Sequence, residues 1–533
     1  MGWWSLYFFV KFLLYAGGFI GFHPWWNLLF AVFTALPAPN RRLSVAKQVV
    51  AIPAGIVLLY YDSWLPSLDR VRSQGAAVLS EFSSQYLLEL AGRFINWDLL
   101  GQIAVMFVLY VFLRRVLRLS TFVFVGVLLI IALPTVRIDE ETSGTVARAS
   151  GPAAAGRQEI DPRNMRAEAL DAQLQRFYDN ERDRLVRFPL ASGEPFDIIV
   201  LHQCSISWDD LRQVYTTGYA GTDSDPARYR FVRRMNVLFT RFNSAASYSG
   251  PAALRLLRGN CGQIPHATLY EPAPAECRVF DNLQKAGFEP HWLMNHNGFF
   301  GDFLGDIRNR GGFPAPLELF TNVPVTHRSF DGKPIYDDYG TLSAWWNKRL
   351  ANPAPRVALF YNTVTLHDGN RRADGKQQLP YAERLRSLTD ALNRFVDEIQ
   401  ASGRRVIVVG IPEHGAAVRG DRRQIAGLRE IPTPAITLVP SMLMLVNANL
   451  PADYRQQRID IPISYLGVNE LLSRFIDDNP FDKPSVQFSS YIQNLPSTDF
   501  VAENEGGLIM QLGRYYMLRT PDGEWSPWGR EGE

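Results

Sequence analysis

Four apolar runs in the second half of the chain each stop at a residue able to hold a metal ion or move a proton. They are FDIIVLHQ before Cys204, EPHWLMNH ending at His296, RVALFYNTVTL before His367, and RRVIVVGIP before Glu413 and His414. Helical stretches such as YAERLRSLTDALNRFVDEIQAS separate them, which predicts an α/β domain with a mostly parallel central sheet. In such a sheet the carboxyl ends of parallel strands share one edge, so residues distant in sequence meet in one crevice. TPAITLVPSMLML reads as a further strand leading into the helix YLGVNELLSRFI, and IMQLGRYYMLRTPDGEWSPW, within 508–529, reads as a terminal hairpin reversing at Pro521-Asp522-Gly523.

The first part of the chain has a different character. Apolar runs at 3–22, 24–37, 44–62, 99–113 and 119–136 approach the roughly 20 residues a helix needs to cross a bilayer, and five spans are expected within a membrane domain of residues 1–136. The first run lacks a basic leader and a small-residue cleavage site, so it reads as a span and not as a signal peptide. Lys11 within it is expected to snorkel to an interface, and Trp3, Trp4, Trp25 and Trp26 suit the headgroup region. Arg41, Arg42 and Lys47, and then Arg114, Arg115 and Arg118, favour the cytoplasm, so the fifth span delivers everything after residue 136 to the far side. The segment 66–97 has helical periodicity and reads as an interfacial helix. Residues 137–160, rich in Ala, Gly and Ser, read as a linker, and 161–533 as the soluble domain, entered through a charged helix with apolar positions Leu170, Leu174, Phe177 and Leu185. The 55 Lys and Arg nearly balance the 53 Asp and Glu, which leaves no electrostatic grip on nucleic acid.

Three cysteines fit an extracytoplasmic domain. Cys261 and Cys277 bracket a short Pro-containing loop, and a bridge closing about 15 residues contributes roughly 3 kcal/mol in an oxidising compartment. Cys204 is left over, and metal ligation would shield its thiol. With Glu413 and His414 it makes three ligands of the kinds Zn²⁺ accepts, and the fourth position is open to Ser249 or a substrate oxygen. In SYSGPAALRLLRG, Ser249 precedes Gly250 and Pro251 at a helix start, where it either caps the helix or serves as a nucleophile. Gly415 is expected to let the backbone turn tightly beside the ion. His367 and His296 lie on loops just past strands, as general acid, ligand to the transferred group or hydrogen-bonded loop residues. Arg429 is either a phosphate clamp or a surface residue. His202 is expected to turn away from Cys204 and to be structural. Trp292, Trp345, Trp346 and Trp525 stack on sugars or pack in the core.

Taken together, LHQCSISWDD, NSAASYSGPAALRLLRGNCGQ, LHDGN and PEHGAAVRGDR resemble the cellulose biosynthesis phosphoethanolamine transferases of bacteria, inner-membrane members of the alkaline-phosphatase-like superfamily, over nearly the whole chain. The resemblance implies a multi-span α-helical membrane domain followed by an alkaline-phosphatase-like α/β domain in the periplasm. It implies Ser249 as the nucleophile that carries phosphoethanolamine, and Cys204, Glu413 and His414 as ligands of one Zn²⁺. Tyr248, His367 and Arg429 fall at positions that handle substrate, and Cys261 and Cys277 match a family disulfide. The implied donor is phosphatidylethanolamine and the implied acceptor the glucosyl C6 hydroxyls of nascent cellulose, beside cellulose synthase complex subunits in the inner membrane. Ala416 stands where the family pattern has a second glycine after the histidine. Alternatives on the same scaffold are a transferase acting on lipid A or another glycan and a phosphatase- or sulfatase-type hydrolase. The sulfatase lacks its Cys-x-Pro-x-Arg motif here, since Ser-Ile-Ser follows Cys204. A non-enzymatic alternative is a membrane scaffold for polymer synthesis.

Overall fold

The structure is a computed structural model describing residues 1–17, 20–63, 97–132, 161–216, 230–421 and 423–530. The expected linker and nearly all of the expected interfacial helix lie outside these residues. Two compact units result, one holding residues 1–17, 20–63, 97–132, 420–421 and 423–425, the other 161–216, 230–419 and 426–530.

The first unit contains the apolar helices α1 (Trp4–Ala16), α2 (Pro24–Ala35), α3 (Arg41–Asp62), α4 (Trp97–Leu113) and α5 (Leu119–Ala132). Among the described residues, α3 is long and apolar enough to cross a membrane, while the others are shorter. Its 22 residues span about 33 Å at 1.5 Å each. Ala51, Gly55 and Leu58 of α3 face inward, while Val49, Ile52 and Ile56 are exposed. A Cβ on Gly55 would meet the Trp4 ring at 2.8 Å, so this close helix approach depends on the missing side chain. Lys11 does not reach for an interface. It is fully buried, donates to Asn27 Oδ1 at 2.6 Å and pairs with Asp62. Asp62 also receives Asn27 Nδ2 at 2.8 Å and faces His23 Nδ1 at 2.6 Å. An ammonium with a carboxylate within reach inside an apolar bundle pairs with it in preference to snorkelling.

The second unit opens with α6 (Ala167–Arg182), whose inward Phe177 packs on Val501, Leu508 and Met510. Eight strands form the central sheet: β1 (Asp197–Gln203), β2 (Val237–Asn243), β3 (Glu289–Met294), β4 (Leu317–Glu318), β5 (Val357–Thr363), β6 (Val406–Pro412), β7 (Leu438–Val446) and β8 (Gln457–Ile459). The spatial order is β8-β2-β7-β6-β1-β5-β3-β4. The four runs singled out in the sequence are therefore consecutive neighbours, β6-β1-β5-β3, and each adjoining pair is parallel. β7 runs antiparallel to β6 and β2, which makes the sheet mixed. Ile198, Val200, Phe360 and Val409 enter the core on one face, and Ile199, Leu201, Leu359 and Val408 the core on the other. Burial on both faces is why these strands read as unbroken apolar runs and not as alternating ones.

Helices α7 (Ser249–Leu257), α8 (Tyr381–Ser402) and α9 (Tyr465–Asp477) flank the sheet in sequence. Trp292, Trp345 and Trp346 are wholly buried core residues, which removes them as sugar platforms, while Trp525 donates to Asp171 at 3.0 Å. The expected terminal hairpin is part of a four-stranded antiparallel sheet, β9 (Val501–Asn504), β10 (Gly507–Leu512), β11 (Tyr515–Arg519) and β12 (Trp525–Arg530). The Pro-Asp-Gly turn joins its last two strands. Cys261 and Cys277 form a disulfide, and Cys204 is a free, buried thiol.

At the amino-terminal edge of the sheet, fully buried Asp197 accepts both Nε and Nη2 of buried Arg349 at 3.0 Å and the Val357 N–H at 2.8 Å, with a second fork from Arg404. Arg349→Ala is expected to lower stability by about 3–5 kcal/mol, because it strips a partner from a buried charge. Denaturant unfolding measures this, and metal binding at the opposite strand edge should be unchanged.

Candidate metal and nucleophile site

Residues just past the carboxyl ends of β1 and β6 supply the centre of the site. Cys204 follows β1, and Glu413 and His414 follow β6. All three are buried, and their Sγ, carboxylate oxygen and ring nitrogen lie within 4.8 Å of one another. His414 Nδ1 lies 2.9 Å from the Gly415 carbonyl, so it carries the proton and Nε2 presents a lone pair. Glu413 Oε1 accepts from Asn362 Nδ2 at 2.6 Å. Glu413 Oε2 and His414 Nε2 have no hydrogen-bond partner and stand 3.6 Å apart.

Burial raises the Glu413 carboxyl, burial and then the Glu413 charge push the Cys204 thiol up to about 12, and burial followed by Arg429 holds His414 well below its usual range. Two electron-pair donors facing each other beside a thiol fit a divalent cation, which offsets the desolvation of each group. A soft sulfur with a carboxylate and an imidazole is a zinc-type donor set.

Ser249 is the first residue of α7, and Tyr248 occupies the cap position. The capping role therefore falls one residue earlier than its alternative reading required. The Ser249 hydroxyl instead lies 3.9 Å from Cys204 Sγ, and its nearness to Glu413 offsets part of the rise that burial gives that carboxyl. The side chain of Arg429 is buried, with its guanidinium 5.6 Å from the Tyr248 ring centre and 3.4 Å from Ser205 Oγ. Its backbone carbonyl accepts from Ser247 Oγ at 2.7 Å and Asn504 Nδ2 at 3.1 Å, which ties this segment to the start of α7. Tyr248 donates to Glu430 at 2.8 Å. His367 Nδ1 meets the Asp368 carbonyl at 2.8 Å, its ring lies 4.9 Å from Phe330, and burial followed by the charge of Arg429 lowers it to about 4.

His296 occupies a different place. Its Nδ1 accepts from the Gly298 N–H at 3.1 Å and its Nε2 meets Asn362 Oδ1 at 2.8 Å, so both ring nitrogens are engaged by the scaffold. Asn362 thus bridges His296 to Glu413, a role the sequence reading missed. The signal was present: Asn362 is the polar residue inside the buried strand VALFYNT. His202 stands opposite it in register, with Nδ1 3.5 Å from Glu413 Oε1. Residues two apart on a strand share a face, so the expectation that His202 turns from Cys204 does not hold, and the ring backs the Glu413 carboxylate.

The loop after His414 is held by buried Asp210, which accepts the Ala416 and Val418 N–H groups at 2.7 and 3.1 Å. Gly415 is required here by close approach and not by a left-handed turn, because an added Cβ would meet Ser207 Oγ at 2.6 Å. Ala416 is accommodated, buried, in the same loop. Ser205, next to Cys204, takes a φ of 68°, a conformation uncommon for any residue but glycine.

Two family models match the chain: that of the cellulose biosynthesis protein BcsG N-terminal domain over residues 4–132, and that of the C-terminal domain of the same protein over residues 153–525. The chain is 38% identical over 545 residues to cellulose biosynthesis protein BcsG of Salmonella typhimurium, covering 98% of this chain and 96% of that protein. The Escherichia coli protein of the same name is 37% identical with the same coverage. Among solved structures, a protein in the alkaline phosphatase superfamily from Vibrio parahaemolyticus aligns with a TM-score of 0.46 at 13% identity, over 66% of this chain and 87% of that one. The C-terminal periplasmic domain of EcEptC from Escherichia coli, in complex with Zn, aligns with a TM-score of 0.39 at 14% identity, over 60% and 94%.

Asn362→Leu is expected to weaken Zn²⁺ binding by about 10–100-fold, the usual effect of removing a group that orients a metal ligand. Competition against a chromogenic chelator measures it.

Proposed function

The chain belongs to the BcsG family of cellulose biosynthesis proteins, and from that premise we propose that it moves phosphoethanolamine from phosphatidylethanolamine to glucosyl C6 hydroxyls of cellulose through a covalent intermediate on Ser249. The observation that carries this reading is the Ser249 hydroxyl at the first position of α7, set against Cys204 and Glu413. A helix amino terminus favours the anionic oxygens of a phosphoryl group.

In the first half-reaction the Ser249 hydroxyl gives up its proton, and Oγ bonds to phosphorus as the bond from phosphorus to the diacylglycerol oxygen breaks. That oxygen leaves with a proton. His367 serves as the proton carrier at Nε2, because its Nδ1 is committed to the Asp368 carbonyl and its pKa of about 4 leaves Nε2 unprotonated at physiological pH and quick to hand on to the leaving oxygen a proton it takes up. Arg429, positioned over the Tyr248 ring, balances charge on the phosphoryl oxygens. In the second half-reaction the glucosyl C6 hydroxyl gives its proton to His367 as its oxygen bonds to phosphorus, the phosphorus–Oγ bond breaks and Ser249 Oγ takes that proton back. One site thus serves donor and acceptor in turn.

Cys204, Glu413 and His414 would hold one Zn²⁺, with the Ser249 oxygen as a further donor. When bound, such an ion makes a neighbouring hydroxyl more acidic and stabilises developing negative charge. His296 belongs to the support of Glu413 through Asn362.

A lipid donor fits a membrane-embedded amino terminus. In this reading α1 to α5 all span the bacterial inner membrane within residues 1–136, and their basic loops lie in the cytoplasm. Residues 137–160 tether a periplasmic domain of residues 161–533 beside the outer leaflet, and cellulose synthase complex subunits are the neighbours. The outward Val49, Ile52 and Ile56 of α3 suit acyl chains.

Incubating the purified chain with phosphatidylethanolamine is expected to add one phosphoethanolamine to Ser249, read by peptide mass spectrometry. Ser249→Ala should lose the adduct and on the order of 10³-fold or more in turnover. An adduct on another residue, or one persisting in Ser249→Ala, removes the nucleophile. Solid-state NMR of cellulose from cells lacking the protein tests the acceptor, and an unchanged C6 phosphoethanolamine signal overturns that assignment.

A further inference from the structure

Six residues beyond Ser249 on α7, and so on a different side of the helix, Arg255 lines a cavity of about 180 Å³. The disulfide-closed segment covers part of it, since Cys261, Leu269 and Cys277 also line it, and Tyr465 at the start of α9 closes another wall. Arg255 is only 5% exposed. Its Nη1 is fixed by the Ile264 carbonyl at 3.0 Å, while Nε and Nη2 have no hydrogen-bond partner. Burial lowers this guanidinium to about 10, so it keeps its charge at neutral pH.

Nε and Nη2 are the two donors on one edge of the guanidinium, the fork that matches a carboxylate or phosphate. The same chain shows what that edge does when an anion is present: Arg349 uses Nε and Nη2 on the two oxygens of Asp197. Of the two acidic residues that line the cavity, Glu181 and Glu271, Glu181 is already engaged by Arg184 and by the Gln263 N–H at 2.9 Å. Gln263, also a lining residue, keeps a buried Oε1 without a donor. The cavity wall therefore contains an unpaired anion fork and a separate unpaired acceptor. A cavity of similar size, about 150 Å³, admits a ligand as large as benzene.

We propose that this cavity is a binding site, separate from the Ser249 centre, for a small phosphate or carboxylate anion that also carries a hydroxyl or amino donor, with Arg255 gripping the anion side-on. The site does not rest on the activity assigned above, because none of its residues takes part in that chemistry.

Inorganic sulfate is the probe. Titrated calorimetrically into the full-length protein, it is expected to show a binding event that survives in Arg429→Ala and Ser249→Ala and weakens at least tenfold in Arg255→Lys, which keeps the charge but not the fork. A structure of the full chain with sulfate should place the ion on Arg255 Nε and Nη2. Equal sulfate affinity in Arg255→Lys, ordered water alone in the cavity, or the Glu271 side chain turned in against Arg255 would each overturn the proposal. Should Arg255→Lys fail to fold, the wild-type structure with sulfate decides. Loss of the Ser249 adduct alone would leave it standing.

Discussion

Two lone pairs 3.6 Å apart, on Glu413 Oε2 and His414 Nε2, with a buried thiol beside them, are the constraint around which the second unit is arranged. Such an array repels itself unless positive charge sits among its atoms. Much of the surrounding architecture holds it in place. Asn362 fixes one carboxylate oxygen and the Gly415 carbonyl fixes the imidazole tautomer. Asp210 pins the loop that carries both. Ser249 meets this array from the first turn of α7.

The division of labour along the sheet follows from its topology. Parallel strands bring their carboxyl ends together, so the reactive groups collect at one edge. The opposite edge carries the buried Asp197 with its two arginine forks, a lock that contributes to stability away from the candidate site. Precision at the first edge derives from strands buried on both faces, whose ends have little freedom to shift.

Much of this was legible in the chain itself, because the relevant signals are local. Long apolar runs, the residues that end them and the Ser-Gly-Pro helix start can all be read without knowing the fold. Lateral relations were hidden. That His202 and Asn362 stand opposite one another depends on the register between β1 and β5, and that Asn362 also reaches His296 depends on the neighbouring strand β3. His296 was open to the roles of general acid, ligand and hydrogen-bonded loop residue because the Asn362 amide oxygen that favours the last comes from a strand 66 residues away. The terminal hairpin grew to four strands for the same reason: the pairing of Val501–Asn504 with Gly507–Leu512 is short and its apolar pattern weak. Lys11 was misjudged because its counter-ion, Asp62, lies 51 residues away.

That last pair bears on how the polypeptide is made. Ribosomal synthesis makes Lys11 51 residues before Asp62, so the ammonium of α1 stays uncompensated until the far end of α3 exists. The first and third helices are consequently stable only as a set, and a chain lacking either partner would leave a naked charge inside the first unit.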